Sequence, residues 1–121
     1  MGNRLSKIYT KTGDHGETGL GDGSRIDKTA LRVASMGDVD ELNSLLGLLI
    51  TEDLSDEMAE SLWDIQHVLF NVGGELSIPG AELVAEKNVI ELEVLIDKYN
   101  MDLPPLKEFI LPSRTSDFIS T

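Results

Sequence analysis

The residues best suited to chemistry lie near the start of the chain, between Tyr9 and Arg25. These seventeen residues contain five glycines, three threonines and two cations, Lys11 and Arg25. So much glycine disfavours a helix, and the low apolar content disfavours a core strand. A loop of this composition brings backbone N–H groups and hydroxyls close to an anion. The sequence therefore predicts a phosphate-binding loop, with a mobile surface loop as the alternative.

The loop does not follow the two common phosphate-binding motifs. Gly16 and Gly21 have the spacing of a Walker P-loop, but Asp22 stands where that motif requires lysine. A dinucleotide fingerprint also fails, because Gly19 and Gly21 are followed by Ser24 rather than by a third glycine. Any phosphate binding is therefore of a different kind.

The distribution of charge favours a small anionic ligand. The net charge is −12, yet residues 1–32 hold six of the ten Lys and Arg residues and only four of the 22 acids. The acidic remainder argues against nucleic acid as a partner, since binding to phosphate backbones requires a basic face. Lys11 and Lys28 are expected to act as point charges, with the threonine hydroxyls as donors.

The length of 121 residues fits a single domain, 1–121. There is no cysteine, which excludes disulfides, thiolate zinc sites and a cysteine nucleophile and suits a reducing compartment. No apolar run approaches the length of a membrane span. We therefore expect a cytoplasmic protein with no membrane partner.

Three helices must position the loop. Apolar spacing predicts helices over about 28–50, from Ser55 as N-cap to before Pro79, and over about 81–99 with Asn100 as a left-handed cap. A short strand is also expected near 5–10. The pattern indicates an all-α, up-down helical bundle with one open side, which favours self-association. The expected inward positions are Leu31, Ala34, Val39, Leu42, Leu46 and Leu49 in the first helix, Met58, Leu62, Ile65, Leu69, Val72 and Leu76 in the second, and Val89, Leu92, Ile96 and Tyr99 in the third.

Acidic residues in the helices are weaker candidates for chemistry. Asp40 lies next to the apolar face of the first helix, where an acid is usually paired with a cation or a ligand. For Asp38 and Glu41 a solvated face is the better interpretation. Asp64 and His67 share a helical face and match half of a di-iron pattern, but one copy is too little for a carboxylate-bridged metal site. We predict no resident metal site in the protein.

Several spaced motifs in the loop and the helices carry a resemblance to a known family. The chain is similar to the trimeric helical-bundle type of ATP:cob(I)alamin adenosyltransferases, also called corrinoid adenosyltransferases, over about residues 7–112. The matching segments are Tyr9-Thr10-Lys11-Thr12-Gly13-Asp14 with Gly16 and Thr18, then Gly23, Arg25, Lys28 and Arg32, then Gly37 with Val39-Asp40-Glu41-Leu42-Asn43-Ser44, then Ile65-Gln66, Leu69-Phe70, Gly73 and Glu75-Leu76, and Phe109-Ile110-Leu111-Pro112.

The resemblance implies a five-helix bundle, here about three helices and a short tail, with an irregular N-terminal ATP-binding loop. It implies transfer of the 5′-deoxyadenosyl group of ATP to the cobalt of cob(I)alamin, with Mg²⁺ accompanying the phosphates. It further implies a homotrimer whose active sites lie between subunits. By matched position, the residues expected to bind ATP are Thr10, Lys11, Thr12, Gly13, Asp14, Thr18, Gly19, Arg25 and Lys28.

Two further residues have roles implied by the resemblance. Asp40 matches an acid that pairs with an arginine of the neighbouring subunit. Phe109 matches a ring that lies against the corrin, displaces the lower axial base and favours the four-coordinate cobalt. Both are therefore expected to contribute to catalysis.

The sequence departs from the family pattern after Pro112. Relatives continue with two more helices, the first of which carries an arginine-rich segment that binds ATP and supplies the partner of Asp40. Here nine other residues follow Pro112. They are either an unrelated ending or the opening of the family's last helix, which Arg114, Ser116, Asp117 and Phe118 resemble. We therefore expect weak or absent transfer by this C-terminally incomplete domain. The alternative function is an impaired form that binds ATP or a corrinoid.

Overall fold

The computed structural model describes residues 6–112. Its elements follow the order β1 (Glu17–Gly19), β2 (Arg25–Asp27), α1 (Leu31–Ile50), α2 (Asp56–Ser77) and α3 (Glu86–Asn100). The chain divides into two compact units, one ending at Asn88 and the other beginning at Val89. The prediction of a mainly helical protein with three helices is confirmed.

The first unit contains the hairpin, α1 and α2. Strands β1 and β2 pair antiparallel, with Thr18 opposite Ile26. Helices α1 and α2 pack against each other in antiparallel order, because Arg32 near the start of α1 contacts the end of α2 while Asn43 contacts Gln66 near its middle. The up-down arrangement expected for the first two helices is therefore present.

The hairpin replaces the strand that was expected near 5–10. Residues 6–10 are irregular and Leu5 lies outside the described residues, so that prediction is wrong for the part of the segment that the structure shows. The turn of the hairpin contains Asp22, whose side chain accepts hydrogen bonds from the Ser24 backbone at 2.9 Å and from its hydroxyl at 2.6 Å. Leu20, next to this turn, is 5% exposed and is the one buried apolar residue between positions 6 and 112.

The helix ends follow local hydrogen bonds. Helix α2 begins at the expected N-cap, because the Ser55 hydroxyl accepts from the Met58 backbone at 3.2 Å. Helix α3 begins later than expected, at Glu86. Among the described residues other than glycine, a positive φ occurs only at Lys11, so the left-handed cap predicted at Asn100 is wrong.

Only part of each predicted apolar stripe is covered. The stripe of α2 is half-buried along its whole length. On α1 the half-buried positions include Val33, Met36, Val39 and Leu46, whereas Leu31 is exposed. Because α1 is apolar on more than one side, spacing alone does not show which side faces α2.

The remaining residues of the predicted stripes are exposed in this chain. On α1 these are Leu31, Ala34, Leu42 and Leu49, and on α3 they are Val89, Leu92 and Ile96. The predicted inward orientation of these side chains is therefore wrong in the part of the chain that the structure describes. The second unit, which contains most of α3, keeps Tyr99 half-buried as expected. The segment from Phe109 to Leu111 is exposed.

Candidate functional site

The predicted phosphate-binding loop is tied together by Arg25. Its guanidinium Nη2 donates to the backbone oxygen of Thr12 at 2.8 Å and to that of Glu17 at 3.1 Å. The Lys28 backbone N–H donates to the Gly16 oxygen at 2.8 Å, which closes the loop against the end of β2. Arg25 and Lys28, which follow the loop, are thereby held next to the backbone of residues 12–17.

Lys28 lies directly against Gly13. A β-carbon at residue 13 would lie 2.9 Å from both Cε and Nζ of Lys28 and 3.0 Å from the backbone oxygen of Glu17. The ammonium group therefore occupies space that only a glycine at this position leaves open. This contact joins two residues fifteen positions apart and places a positive charge on the loop backbone, where an anion would meet both the charge and backbone N–H groups.

The segment before Gly13 carries hydroxyls and a second cation. The hydroxyls of Thr10 and Thr12 are hydrogen-bonded to each other at 2.9 Å. Lys11, between them, has φ 58°, a conformation that costs free energy in residues other than glycine and is concentrated at functional sites. Its ammonium lies 5.7 Å from the centre of the Tyr9 ring. Both hydroxyls and the cation therefore lie within a few residues of the Lys28 contact.

The other predicted loop residues take different positions. Thr18 and Gly19 form part of β1 and are half-buried, and Gly19 pairs with Arg25 across the hairpin. Asp14 is exposed at the tip of the loop. The hydrogen bonds from Ser24 hold the pKa of the nearby Asp22 carboxyl below its ordinary value. The loop thus presents cations together with an Asp22 carboxyl that remains ionised at neutral pH.

A groove lies between α1 and α2, further along α1 than the loop. Asp40 lies nine residues after the first residue of α1, which is about 14 Å along the helix axis. The groove has a volume of about 390 Å³. Its lining combines carboxylate, amide, hydroxyl and aromatic groups and consists of Asp40, Asn43, Ser44, Gly47, Trp63, Gln66, His67 and Phe70.

Two polar residues connect the helices at the floor of this groove. The Asn43 side-chain amide donates to the Gln66 backbone oxygen at 3.2 Å, and the Gln66 amide donates to the Asn43 backbone oxygen at 3.0 Å. The side-chain oxygen of Asn43 is buried without a hydrogen-bond partner. This pair fixes the register of α1 against α2 and leaves an acceptor at the floor of the groove.

The aromatic wall of the groove is formed by Trp63 and His67. Their rings meet edge to face with centres 5.0 Å apart. The Nδ1–H of His67 donates to the Trp63 backbone oxygen at 2.8 Å, because a carbonyl oxygen can only accept. The Trp63 side chain is 57% exposed and lines the groove.

The two residues expected to contribute to catalysis lie in different units. Asp40 is on the exposed side of α1 and makes no ion pair with another residue of the region 6–112. Phe109 is fully exposed in the second unit. The residues Arg114, Ser116, Asp117 and Phe118, noted for their resemblance to a later family segment, lie outside the described part of the chain.

No group of three or more His, Cys, Asp or Glu side chains within residues 6–112 is placed to hold a metal ion. None of the helices in that same region combines the length and apolar character needed to cross a bilayer.

Sequence reasoning missed the residues that fix the loop in place. The hairpin turn and the contacts of Gly21 and Arg32 with α2 were not anticipated. One signal was present: Asp22-Gly23, between segments containing Thr18 and Ile26, is a dipeptide typical of hairpin turns.

Comparison with known proteins gives consistent matches. The cobalamin adenosyltransferase family model matches residues 8–120. A cobalamin adenosyltransferase from Cupriavidus metallidurans is 58% identical over 113 residues, covering 93% of this chain and 61% of that protein. A corrinoid adenosyltransferase from Bacillus subtilis is 47% identical over 114 residues, covering 88% of this chain and 58% of that protein.

A solved structure is similar in fold. It is a variant of the PduO-type ATP:corrinoid adenosyltransferase from Lactobacillus reuteri, complexed with cobalamin and ATP. The two chains superpose with a TM-score of 0.81 at 36% identity, covering 91% of this chain and 65% of that one. The present chain thus spans about three fifths of the length of the relatives it matches.

Proposed function

Because the chain belongs to the cobalamin adenosyltransferase family, we propose that it transfers the 5′-deoxyadenosyl group of ATP to the cobalt of the reduced corrinoid cob(I)alamin. In this reaction the electron pair of cobalt(I) forms a bond to C5′ of ATP. The bond between C5′ and the phosphate oxygen breaks, and its electron pair leaves with the triphosphate. The products are adenosylcobalamin and triphosphate.

The contact of Lys28 with Gly13 is the observation that carries this proposal. Cob(I)alamin is a strong nucleophile, so the protein's main tasks are to hold C5′ in line with the cobalt and to stabilise the departing triphosphate. An ammonium held on a glycine backbone, with Arg25 closing the same loop, suits the second task. The hydroxyls of Thr10 and Thr12 add donors beside it.

The loop also suits the Mg²⁺ ion that accompanies ATP. Mg²⁺ keeps several waters and is usually bound by substrate phosphates and one or two carboxylates, so it does not require a preformed cluster of ligands. Asp14 is an exposed carboxylate in the loop and can serve in this way. When bound, the ion would supply positive charge to the triphosphate, which assists its departure.

We assign the groove beside Asp40 and the ring of Phe109 to the corrinoid side of the reaction. The groove offers both polar and aromatic groups to a large ligand with amide side chains. We propose that Asp40 pairs with an arginine of a neighbouring subunit, and that Phe109 lies against the corrin and excludes the lower axial base. The exposed position of both side chains supports these roles.

We propose a homotrimer in the cytoplasm as the functional state. Exposed leucines along α1 support association, since contiguous exposed apolar surface marks interaction sites. They include Leu42, Leu45, Leu48 and Leu49. A cysteine-free sequence suits a reducing compartment. Light scattering of the purified protein measures the number of subunits directly, and a monomer at micromolar concentration would contradict the trimer.

The experiment is conversion of cob(I)alamin under anaerobic reduction, followed by absorbance, with Mg²⁺ and ATP. We expect adenosylcobalamin to form and the Lys28→Ala variant to lose most of the rate. A rate near that of the longer relatives would overturn the expectation of weak transfer. Lys87→Ala is the matched control, because Lys87 is an exposed lysine in the first turn of α3, outside the loop. Absence of both ATP binding and product would refute the proposed function.

A second candidate function is binding without transfer. It is favoured by the loop contacts, because Lys28 beside Gly13 and Arg25 against the Thr12 and Glu17 backbone suit binding of the triphosphate and do not themselves act on the cobalt. Tight binding of ATP in calorimetry, together with no adenosylcobalamin after prolonged incubation, would support this alternative.

A further inference from the structure

The end of helix α2 is held by two residues from the N-terminal part of the chain. Its last turn contains no basic residue, although the final carbonyls of a helix lack partners and carry partial negative charge. Nη1 of Arg32 donates to the backbone oxygen of Leu76 at 2.8 Å. The backbone N–H of Gly21 donates to the oxygen of Ser77 at 2.6 Å. These two contacts satisfy carbonyls that would otherwise lack a partner.

The contact of Gly21 depends on its lack of a side chain. A β-carbon at this position would lie 2.5 Å from Cγ1 of Ile78 and 3.2 Å from the backbone oxygen of Ser77. Leu20 beside it is buried, and the Leu20 N–H donates to the Ser24 oxygen at 2.8 Å, closing the hairpin turn. The turn therefore approaches α2 closely and is fixed there on both sides of Gly21.

Hydrogen bonds from the hairpin connect this fixed turn to the part of the loop that carries the cations. Arg25, the first residue of β2, donates to the backbone oxygens of Thr12 and Glu17. The N–H of Lys28, just after β2, donates to the oxygen of Gly16. Consecutive hydrogen bonds thus connect the last turn of α2, the hairpin turn and the phosphate-binding loop.

We propose that Arg32 and Gly21 are positioning residues for the phosphate-binding loop. They hold the hairpin against the C-terminal carbonyls of α2, so that the loop cations keep the arrangement that a triphosphate requires. This inference rests on the proposed function, but neither residue has to contact the ligand. Arg32 brings to the end of α2 the positive charge that the last turn of the helix lacks.

The electrostatics of the turn agree with this arrangement. Hydrogen bonds from Ser24 are the main cause of the lowered pKa of Asp22, and the charge of Arg32 acts in the same direction. The charge of Arg32 therefore acts on an acid of the hairpin turn, while its guanidinium donates to a carbonyl of α2.

Hydrogen exchange of the Gly21 amide tests the anchor without requiring activity. In the wild type this amide is protected by the Ser77 oxygen, and we expect its exchange to become roughly tenfold faster or more in Arg32→Met. Lys87→Met is the matched control, because it removes a cation from an exposed site on α3. Equal protection of Gly21 in Arg32→Met and in the wild type would overturn the proposal.

Kinetics test the consequence for the loop. For Arg32→Met we expect KM for ATP to rise by roughly 10- to 100-fold while KM for the corrinoid stays unchanged, because small misplacement of binding groups is costly. Arg32→Lys, which keeps the charge, is expected to recover part of the loss. A lower melting temperature with an unchanged KM for ATP would overturn the proposal, because it would show a role in stability alone.

A second variant covers the case in which Arg32→Met fails to fold. Gly21→Ala introduces the clash with Ile78 and should also raise KM for ATP, whereas Gly37→Ala, with no atom within 4 Å of the added carbon, is the control. A normal KM in Gly21→Ala would overturn the proposal. If the wild type makes no adenosylcobalamin, the proposed function fails, while hydrogen exchange still decides whether the anchor exists.

Discussion

Replacing Gly13 by alanine should weaken ATP binding by displacing the Lys28 ammonium. The added β-carbon would lie 2.9 Å from Cε and Nζ of Lys28, which is shorter than real β-carbon contacts. The end of a lysine side chain is flexible, so it is expected to move rather than the backbone. The φ of Gly13 is not in the left-handed region, so alanine adds no φ strain, although the Glu17 backbone oxygen, 3.0 Å from the added carbon, has to shift by a few tenths of an ångström.

The size of the effect follows from the interaction that is lost. A hydrogen bond to a charged group contributes about 1.5–3 kcal/mol. Since about 1.4 kcal/mol corresponds to a factor of ten, Kd for MgATP should rise by roughly 10- to 150-fold in Gly13→Ala. Lys28→Ala removes the same interaction and should cause an increase of similar size.

A double-mutant cycle measured by titration calorimetry gives the decisive assay. Because both substitutions act on one ammonium group, the double variant should bind ATP about as weakly as Lys28→Ala alone. Gly37→Ala serves as the control for the added methyl group, since the space around it is open. Fully additive losses in the double variant would refute the reasoning, because they would show that Gly13 does not act through Lys28.

Three other substitutions test the supporting structure. Ser55→Ala removes the N-cap of α2 and should cost about 1 kcal/mol in urea unfolding; an unchanged midpoint would show that the cap contributes nothing. The hydrogen bonds from Ser24 lower the pKa of Asp22 from its ordinary 3.8, so they stabilise the fold above that pH and this contribution is lost as the pH falls below it. At neutral pH, Asp22→Asn should therefore have a lower melting temperature than the wild type, and at about pH 2 the two melting temperatures should be nearly the same. The same difference in melting temperature at both pH values would contradict this. Gln66→Leu removes its hydrogen bond to Asn43 and should cost about 1 kcal/mol, which thermal unfolding would detect; a variant as stable as the wild type would argue against a fixed register.

The proposed phosphate-binding loop shows how much could be predicted from the sequence. Composition predicted an anion site, and the motif pattern selected Gly13 and Lys28, which the structure brings into contact. The hairpin was missed because its strands have only three residues each, too few to show alternation. The turn signal at Asp22-Gly23 was the available indication.

The beginning of α3 shows why helix ends are difficult to predict. A helix was expected from about residue 81, and the structure begins it at Glu86. The carboxylate of Glu75 accepts hydrogen bonds from the backbone N–H groups of Leu83 at 2.5 Å and Val84 at 2.6 Å. These N–H groups bond to a residue eight or nine positions earlier in the chain. Helix propensity is a local property, so it does not predict such a contact.

The groove shows a second reason why a site is difficult to predict from sequence. Asp40 was selected from the motif, but Asn43, Trp63 and Gln66 were not assigned a role at this site. They lie on two helices, and they share a groove only because the antiparallel packing of α1 and α2 brings residue 43 beside residue 66. That register depends on which side of α1 is covered, which apolar spacing leaves open.

The central claim is that the loop from Thr10 to Lys28 binds the triphosphate of ATP. Calorimetric titration of the purified protein with inorganic triphosphate and Mg²⁺ tests it most directly. We predict saturable binding that competes with ATP and is strongly weakened in Lys28→Ala, with Lys87→Ala unchanged. Binding of ATP without any competition from triphosphate, or equal binding by wild type and Lys28→Ala, would contradict the account.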